Sequence, residues 1–415
     1  MEHILQCHEI VKTDFTYGRN CYLYDSEGKR YIDFESGTWC TALGHNHPRI
    51  NRVIRKQLKQ VIHLGTRYPN QITEEAAMDV LDIVGIDDGK CVFLCSGSEA
   101  VEFATQAARQ VTGKNLLLTF KYSYLAAFGS AGRKSPDEWH VLDWGACADK
   151  KPCDCLEGIP FENIGAFVFE PGGSGIGWVR FPPEELVNEI ARRTQEAGGL
   201  LVVNEITTGM GRTGKWFGFQ HYDVQPDIVS IGKGLGNGYP VSAVAMRREV
   251  AEKLERDEFH YVQSHQNDPL GCSVAREVIS IFREENRIER GNALGVYFLQ
   301  GLKKLAAKHE IVREARGRGM LLALEFRPHE GFSAASAYHA LLEEGFLTGY
   351  YPAGNILRFD PPLTIKKEDI NRLLDFMDQI LKDAAGQTCE VRRGRIHLEP
   401  NQGDRDGTTD RYICC

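Results

Sequence analysis

Six short apolar runs constrain this chain more than any other feature. They are CVFLC (91–95), NLLLTF (115–120), GAFVFE (165–170), LLVVNE (200–205), DIVSIG (227–232) and VSAVAM (241–246). None alternates apolar with polar residues, which is the pattern of strands covered on both faces, as in a parallel sheet. Amphipathic helical stretches separate them. Residues 98–112 place Ala100, Val101, Ala104, Ala107, Ala108 and Val111 on one face. Residues 183–197 begin at Pro182-Pro183 and close at Gly198-Gly199. The alternation predicts an α/β fold with a large, mostly parallel sheet flanked by helices.

The chain ends read differently. Residues 17–35 predict a small β-meander turning at Ser26-Glu27-Gly28. Beyond 288, expected helices (292–308, 333–345, 366–383) mix with short strands (320–326, 355–359). Both ends together predict a smaller α+β domain built from residues 1–45 and 288–385. Residues 46–287 would form the large domain. Residues 386–415, polar and rich in Gly, Arg and Asp, read as a tail.

Composition removes several function classes. At 415 residues, 42% hydrophobic and 26% charged, the chain can bury a sizeable core and is not disordered by composition. A net charge of −8 lacks the basic footprint of a nucleic-acid binder. No apolar run approaches the roughly 18 residues that cross a bilayer. The N-terminus MEHILQCHEIVK has an acid at Glu2 and no apolar core, which predicts no signal peptide and a cytoplasmic location. The twelve cysteines are scattered. Their nearest grouping, Cys147, Cys153 and Cys155, has no matching second pair, so reduced thiols and no metal site are expected.

Three glycine-rich places bear on chemistry. Ser96-Gly97-Ser98-Glu99 joins a strand to a helix N-terminus, where exposed N–H groups and the helix dipole favour an anion. An ordinary capped helix start has the same residues. Gly209–Lys215 fits the first seven positions of a phosphate-binding GxxxxGK[ST] loop, but Trp216 stands where a hydroxyl should hold magnesium. A P-loop NTPase is thus a remote alternative. Lys233 lies between Gly232 and Gly234 at the end of a buried strand. Glycines leave room for a cofactor to approach such a lysine, and a partly desolvated lysine forms Schiff bases.

Taken in order, these motifs resemble the class III aminotransferases, pyridoxal-phosphate enzymes of fold type I. The resemblance spans roughly residues 16–383. It rests on TYGRNCYLYDSEGKRYIDFESG, ALGHNHPRI, SGSEAVE, FVFEP, the long run NEITTGMGRTGKWFGFQHYDVQPDIVSIGKGLGNGYPVSAV, and NILRFDPPLTI. It implies that Lys233 forms the Schiff base with pyridoxal 5'-phosphate and shuttles the substrate proton. Gly97 and Ser98 would hold the phosphate. Ser264, with Gln263 as the neighbouring alternative, would reach the phosphate of the partner subunit in a homodimer. Phe120, or Tyr122 in its place, would stack on the cofactor ring. Arg358 would clamp a substrate carboxylate, with Trp39 and Glu170 also on the substrate side. The implied reaction moves an amino group from a small-molecule amino donor to a 2-oxo acid acceptor.

Three departures stand out. The second Glu that gates the arginine in many relatives acting on ω-amino groups is replaced by Gly172-Gly173-Ser174-Gly175, which would leave Arg358 free in both half-reactions. Thr207 replaces the Gln beside the cofactor's phenolic oxygen. Asn204 replaces the Asp that pairs with the pyridine nitrogen. A neutral amide cannot hold that nitrogen protonated by charge. This admits a racemase, a decarboxylase or a low-activity relative on the same fold.

Overall fold

The structure, a computed structural model, describes residues 3–145, 156–173 and 177–386. Three sheets organise it. The largest has seven strands: β4 (Lys90–Leu94), β5 (Leu116–Phe120), β6 (Trp139–Leu142), β7 (Ile164–Phe169), β8 (Leu200–Asn204), β9 (Ile228–Ile231) and β10 (Ser242–Met246). Their spatial order is β4-β10-β9-β8-β7-β5-β6. All pairings are parallel except those of β10, which runs antiparallel to both β9 and β4. All six residues of β7 are buried, as their lack of alternation requires.

Helix Gly97–Thr112 covers one face of this sheet. Its Ala100, Ala104, Ala107 and Ala108 are wholly enclosed, and small side chains let the helix approach closely. The helix starts on a reciprocal cap, with Ser96 Oγ accepting from Glu99 N and Glu99 Oε2 accepting from Ser96 N. It stops at Gly113, which takes the left-handed conformation (φ 68°).

The two chain ends meet in the smaller sheets. The N-terminal strands β1 (Phe15–Arg19), β2 (Tyr22–Asp25) and β3 (Arg30–Asp33) form the meander. Its edge is completed by β13 (Phe346–Leu347), parallel to β3. The third sheet orders β11 (Val312–Arg318), β12 (Leu321–Phe326), β15 (Ile356–Phe359) and β14 (Gly349–Tyr351) as β11-β12-β15-β14.

Some elements exceed the sequence expectation. Helices Pro48–Gln57, Gln71–Val84, Arg248–Arg256 and Pro269–Glu284 were not anticipated, nor were β6 and β11. β11 reads VREARGR and looks like a loop. Its charges are absorbed by ion pairs instead: Arg316 and Arg313 both contact Glu325 of β12, and Glu314 meets Arg180. The helix expected at 292 begins at Arg287. The tail after 386 and the Cys147, Cys153, Cys155 group lie outside the described residues. Among the described residues, no helix is long and apolar enough to cross a membrane.

Candidate active site

The carboxyl ends of β5, β7, β8 and β9 converge on the N-terminus of helix Gly97–Thr112, where open α/β sheets bind ligands. Lys233 follows β9 by two residues and itself adopts the left-handed conformation (φ 45°). Strain of this kind persists only where the surroundings enforce it. A Cβ on Gly97 would lie 2.7 Å from Ile206 Cγ2, and one on Gly232 would lie 3.0 Å from Ile206 Cδ1. The two glycines therefore let the helix start, the β9 end and Ile206 close into one cradle. Burial pushes the Lys233 ammonium from 10.5 down to about 8, which brings a neutral, nucleophilic amine within reach of ordinary pH.

Trp39 connects this lysine to Arg358. Lys233 Nζ lies 4.1 Å from the indole centroid and Arg358 Cζ lies 4.0 Å from it. The indole is buried, and its Nε1–H has no hydrogen-bond partner among the described residues. Ser36, Gly37, Thr38 and Trp39 all have positive φ (53°, 52°, 59° and 66°). Three of these are non-glycine residues, each costing about 1–2 kcal/mol in that conformation. Asp33 Oδ1 offsets the strain by accepting from Glu35 N and Ser36 N, both at 2.8 Å. Ser36 Oγ donates to the Asp360 carbonyl at 2.5 Å.

Arg358 is buried and not free of carboxylates, which corrects the sequence expectation. Its Nε donates to Asp360 Oδ1 at 2.8 Å and its Nη2 to Glu35 Oε1 at 3.0 Å. The missing Glu at 172–175 is thus answered by an acid from the strained turn. Burial pushes Glu35 up to about 7, against the lowering effect of Arg358; Asp360 and Asp33 add to the rise. Gly349, across the strand pair from Arg358, makes room for the guanidinium: a Cβ there would sit 2.4 Å from Nη2.

Asn204 ends β8 with its amide engaged on both sides. Nδ2 donates to the Tyr124 carbonyl (3.1 Å) and Oδ1 accepts from Ile206 N (3.1 Å). One amide hydrogen remains to be donated. Glu170, buried just past β7, accepts from Tyr124 N (2.8 Å) and from Thr207 Oγ1 (3.2 Å). Glu170 and Thr207 therefore brace the Tyr124 backbone. Ser98 Oγ accepts from Ala127 N at 2.9 Å, which leaves its O–H to donate. Ser264 is exposed on the loop before helix Pro269–Glu284, and Gln263 Oε1 accepts from His265 N.

The stacking residues need correction. Phe120 is enclosed by edge contacts with Trp144, Phe167 and Phe169, so its faces are spent on the core. Tyr122 stacks on Trp178 at 4.8 Å, with ring planes 8° apart. Tyr124, two residues further on, is the aromatic whose backbone both Asn204 and Glu170 hold. Tyr122 and Tyr124 both follow β5, and only their contacts distinguish them.

The phosphate-loop alternative also fails. Gly209–Lys215 forms a turn closed by Gly211 N donating to the Trp216 carbonyl. Gly211 faces Leu363, Phe282 and Ile288. Lys215 points outward, donating to the Gln220 carbonyl, and only the short 3-10 turn Gly218–His221 follows. Among the described residues, no α-helix opens directly after Lys215 to receive a phosphate.

A buried strand-end lysine, a glycine cradle beside a helix N-terminus and a buried arginine paired with carboxylates meet at one end of an α/β sheet. The profile of the family "Aminotransferase class-III" matches residues 6–128 and 148–381. An acetylornithine aminotransferase of Aquifex aeolicus is 29% identical over 392 residues, spanning 92% of this chain and 100% of that one. A leucine/methionine racemase of Thermococcus litoralis is 29% identical over 417 residues, spanning 91% of each. Among solved structures, the acetylornithine aminotransferase of Elizabethkingia anophelis superposes with a TM-score of 0.81 at 26% identity, covering 92% of this chain and 97% of that one. The chain belongs to the class III aminotransferases. It is a pyridoxal-phosphate-dependent enzyme that moves an amino group between an amino acid and a 2-oxo acid.

Proposed function

We propose that the amino donor carries a carboxylate that Arg358 receives while its amino group meets Lys233. The observation that carries this reading is the Trp39 indole, over which both cations sit at about the same distance. When bound, pyridoxal phosphate supplies the electron sink for the pair released on Cα–H cleavage. Lys233 holds it covalently and, once displaced, moves the proton at Cα. Gly97 N–H and the Ser98 hydroxyl bind its phosphate at the helix N-terminus. Asn204 would hold the ring nitrogen with its remaining N–H. The enzyme is a cytoplasmic homodimer in which Ser264 serves the partner's site; the family resemblance supports both features. An ω-amino acid of the acetylornithine or ornithine kind suits this site, in keeping with the name of the Aquifex relative. Acetylornithine, ornithine and 4-aminobutyrate, each offered with 2-oxoglutarate or pyruvate, test the reading. Failure of every carboxylate donor would overturn it.

A racemase is the second reading, favoured by Asn204. Asn204 presents an amide where a charged acid would keep the ring nitrogen protonated. The nitrogen is expected to be unprotonated at pH 7, which ¹⁵N NMR of labelled cofactor reads directly; a protonated nitrogen would defeat this. Asn204→Asp should speed Cα–H cleavage, measured as solvent exchange of the α-hydrogen. It also faces a carboxylate oxygen toward the Tyr124 carbonyl, so the cofactor-free protein should lose about 1–3 kcal/mol of stability. Inversion of a single enantiomer without any 2-oxo acid would favour the racemase.

Glu35 makes donor binding depend on pH. The charged and titratable groups facing it are Arg358, Asp360, Asp33 and Tyr338. Above about pH 7 Glu35 is ionised and competes for Arg358; below it the neutral acid releases the guanidinium. Apparent KM for carboxylate donors should therefore rise several-fold from pH 6 to 8, and Glu35→Gln should flatten that rise. An unchanged pH profile in Glu35→Gln would refute the competition.

A further inference from the structure

We propose that His63, His265 and Asp268 form a binding site for a divalent transition-metal ion, with Zn²⁺ as the chemical type. His63 lies in the connection between helices Pro48–Gln57 and Gln71–Val84, while His265 and Asp268 lead into helix Pro269–Glu284. His63 Nδ1 is 2.7 Å from Asp268 Oδ1 and His265 Nδ1 is 2.5 Å from Asp268 Oδ2. One ligand atom from each residue lies within 4.8 Å of the others. The two imidazoles lie side by side, their centroids 4.8 Å apart and their planes tilted by 51°.

Asp268 occupies the N-cap of its helix yet makes no side-chain capping bond. An aspartate in this position ordinarily accepts an N–H of the first turn, worth about 1 kcal/mol. Asp268 instead turns both oxygens to the imidazoles. Two ring nitrogens this close to carboxylate oxygens need positive charge between them, supplied by ring protons or by a cation. Two imidazoles and one carboxylate with open positions for water are a borderline-soft donor set. That set suits Zn²⁺ and disfavours the all-oxygen ions Mg²⁺ and Ca²⁺. On metal binding each ring keeps its proton, moved from Nδ1 to Nε2.

The scaffold beneath is fixed. Asn267, next to Asp268, exchanges two bonds with Phe93 of β4: its N donates to the Phe93 carbonyl and its Oδ1 accepts from Phe93 N. Thr73 Oγ1 of helix Gln71–Val84 donates to the Asn267 carbonyl. An adjoining cavity of about 210 Å³ is lined by Cys95, Tyr239, His265 and Asp268 among others. A metal here would tie the His63 connection to the loop that carries Ser264.

Zinc content of the chelator-treated, cofactor-loaded enzyme, dialysed against buffered free Zn²⁺ at pH 7.5, tests the site. Wild type should hold one equivalent per chain more than His63→Ala or His265→Ala, each of which should weaken binding at least tenfold. His260→Ala, an exposed histidine outside the cluster, should change nothing. Equal zinc content and affinity in wild type and His63→Ala would overturn the proposal, whatever other groups bind zinc.

Discussion

Lys233→Ala is expected to abolish turnover with every amino donor while leaving the protein folded. The side chain lies in a pocket whose shape is set by Gly97, Gly232, Ile206 and Trp39, so its truncation leaves these contacts in place. Removal of the amine also removes the group that burial holds near neutrality, with a pKa of about 8. No neighbour can replace it. The next lysine with a claim on sequence grounds, Lys215, points to solvent and donates to the Gln220 carbonyl. Borohydride reduction of the wild-type enzyme should attach the cofactor to the peptide containing Lys233. The variant should still retain cofactor through the phosphate cradle, but without a covalent bond. Label recovered on Lys215, or residual turnover near the wild-type rate, would remove Lys233 from its assigned role.

Arg358→Ala carries the second largest effect. A charge-assisted pair with a carboxylate is worth roughly 1.5–3 kcal/mol, so carboxylate donors should lose about tenfold or more in apparent affinity. The truncation also strands Asp360, whose carboxylate is fully buried and has Arg358 Nε as a partner. A loss of stability should therefore accompany the kinetic loss. Arg358→Lys separates the two effects: it restores a charge near Asp360 but cannot present a planar fork to the substrate. Stability should recover in Arg358→Lys while affinity does not. Donors without a carboxylate should be little affected by either change. Equal losses for both kinds of donor would make Arg358 a structural residue.

The active-site architecture has a sequence-legible half and a half that only folding reveals. The buried strands were legible because residues covered on both faces must be apolar throughout, as in β7. Lys233 was legible because a lysine between glycines at such a strand end is costly without a purpose. β11 was not legible, since Arg313 and Arg316 pair with Glu325 of β12 and Glu314 with Arg180. Ion pairing between neighbouring strands leaves no periodic trace.

Residue types and local order alone determined the α/β class and singled out Lys233, the capped helix start at Gly97 and the Asn204 departure. Each depends on near neighbours: a strand, its turn and the residue that ends it. Tertiary structure alone decided which aromatic after β5 meets Asn204, and that Glu35 opposes Arg358. It also brought His63 to Asp268 across some two hundred residues. These outcomes follow from chain segments that are distant in sequence and fixed by packing. Glu35 reaches Arg358 because four consecutive left-handed residues turn the chain there. No local pattern of residue types encodes such a contact.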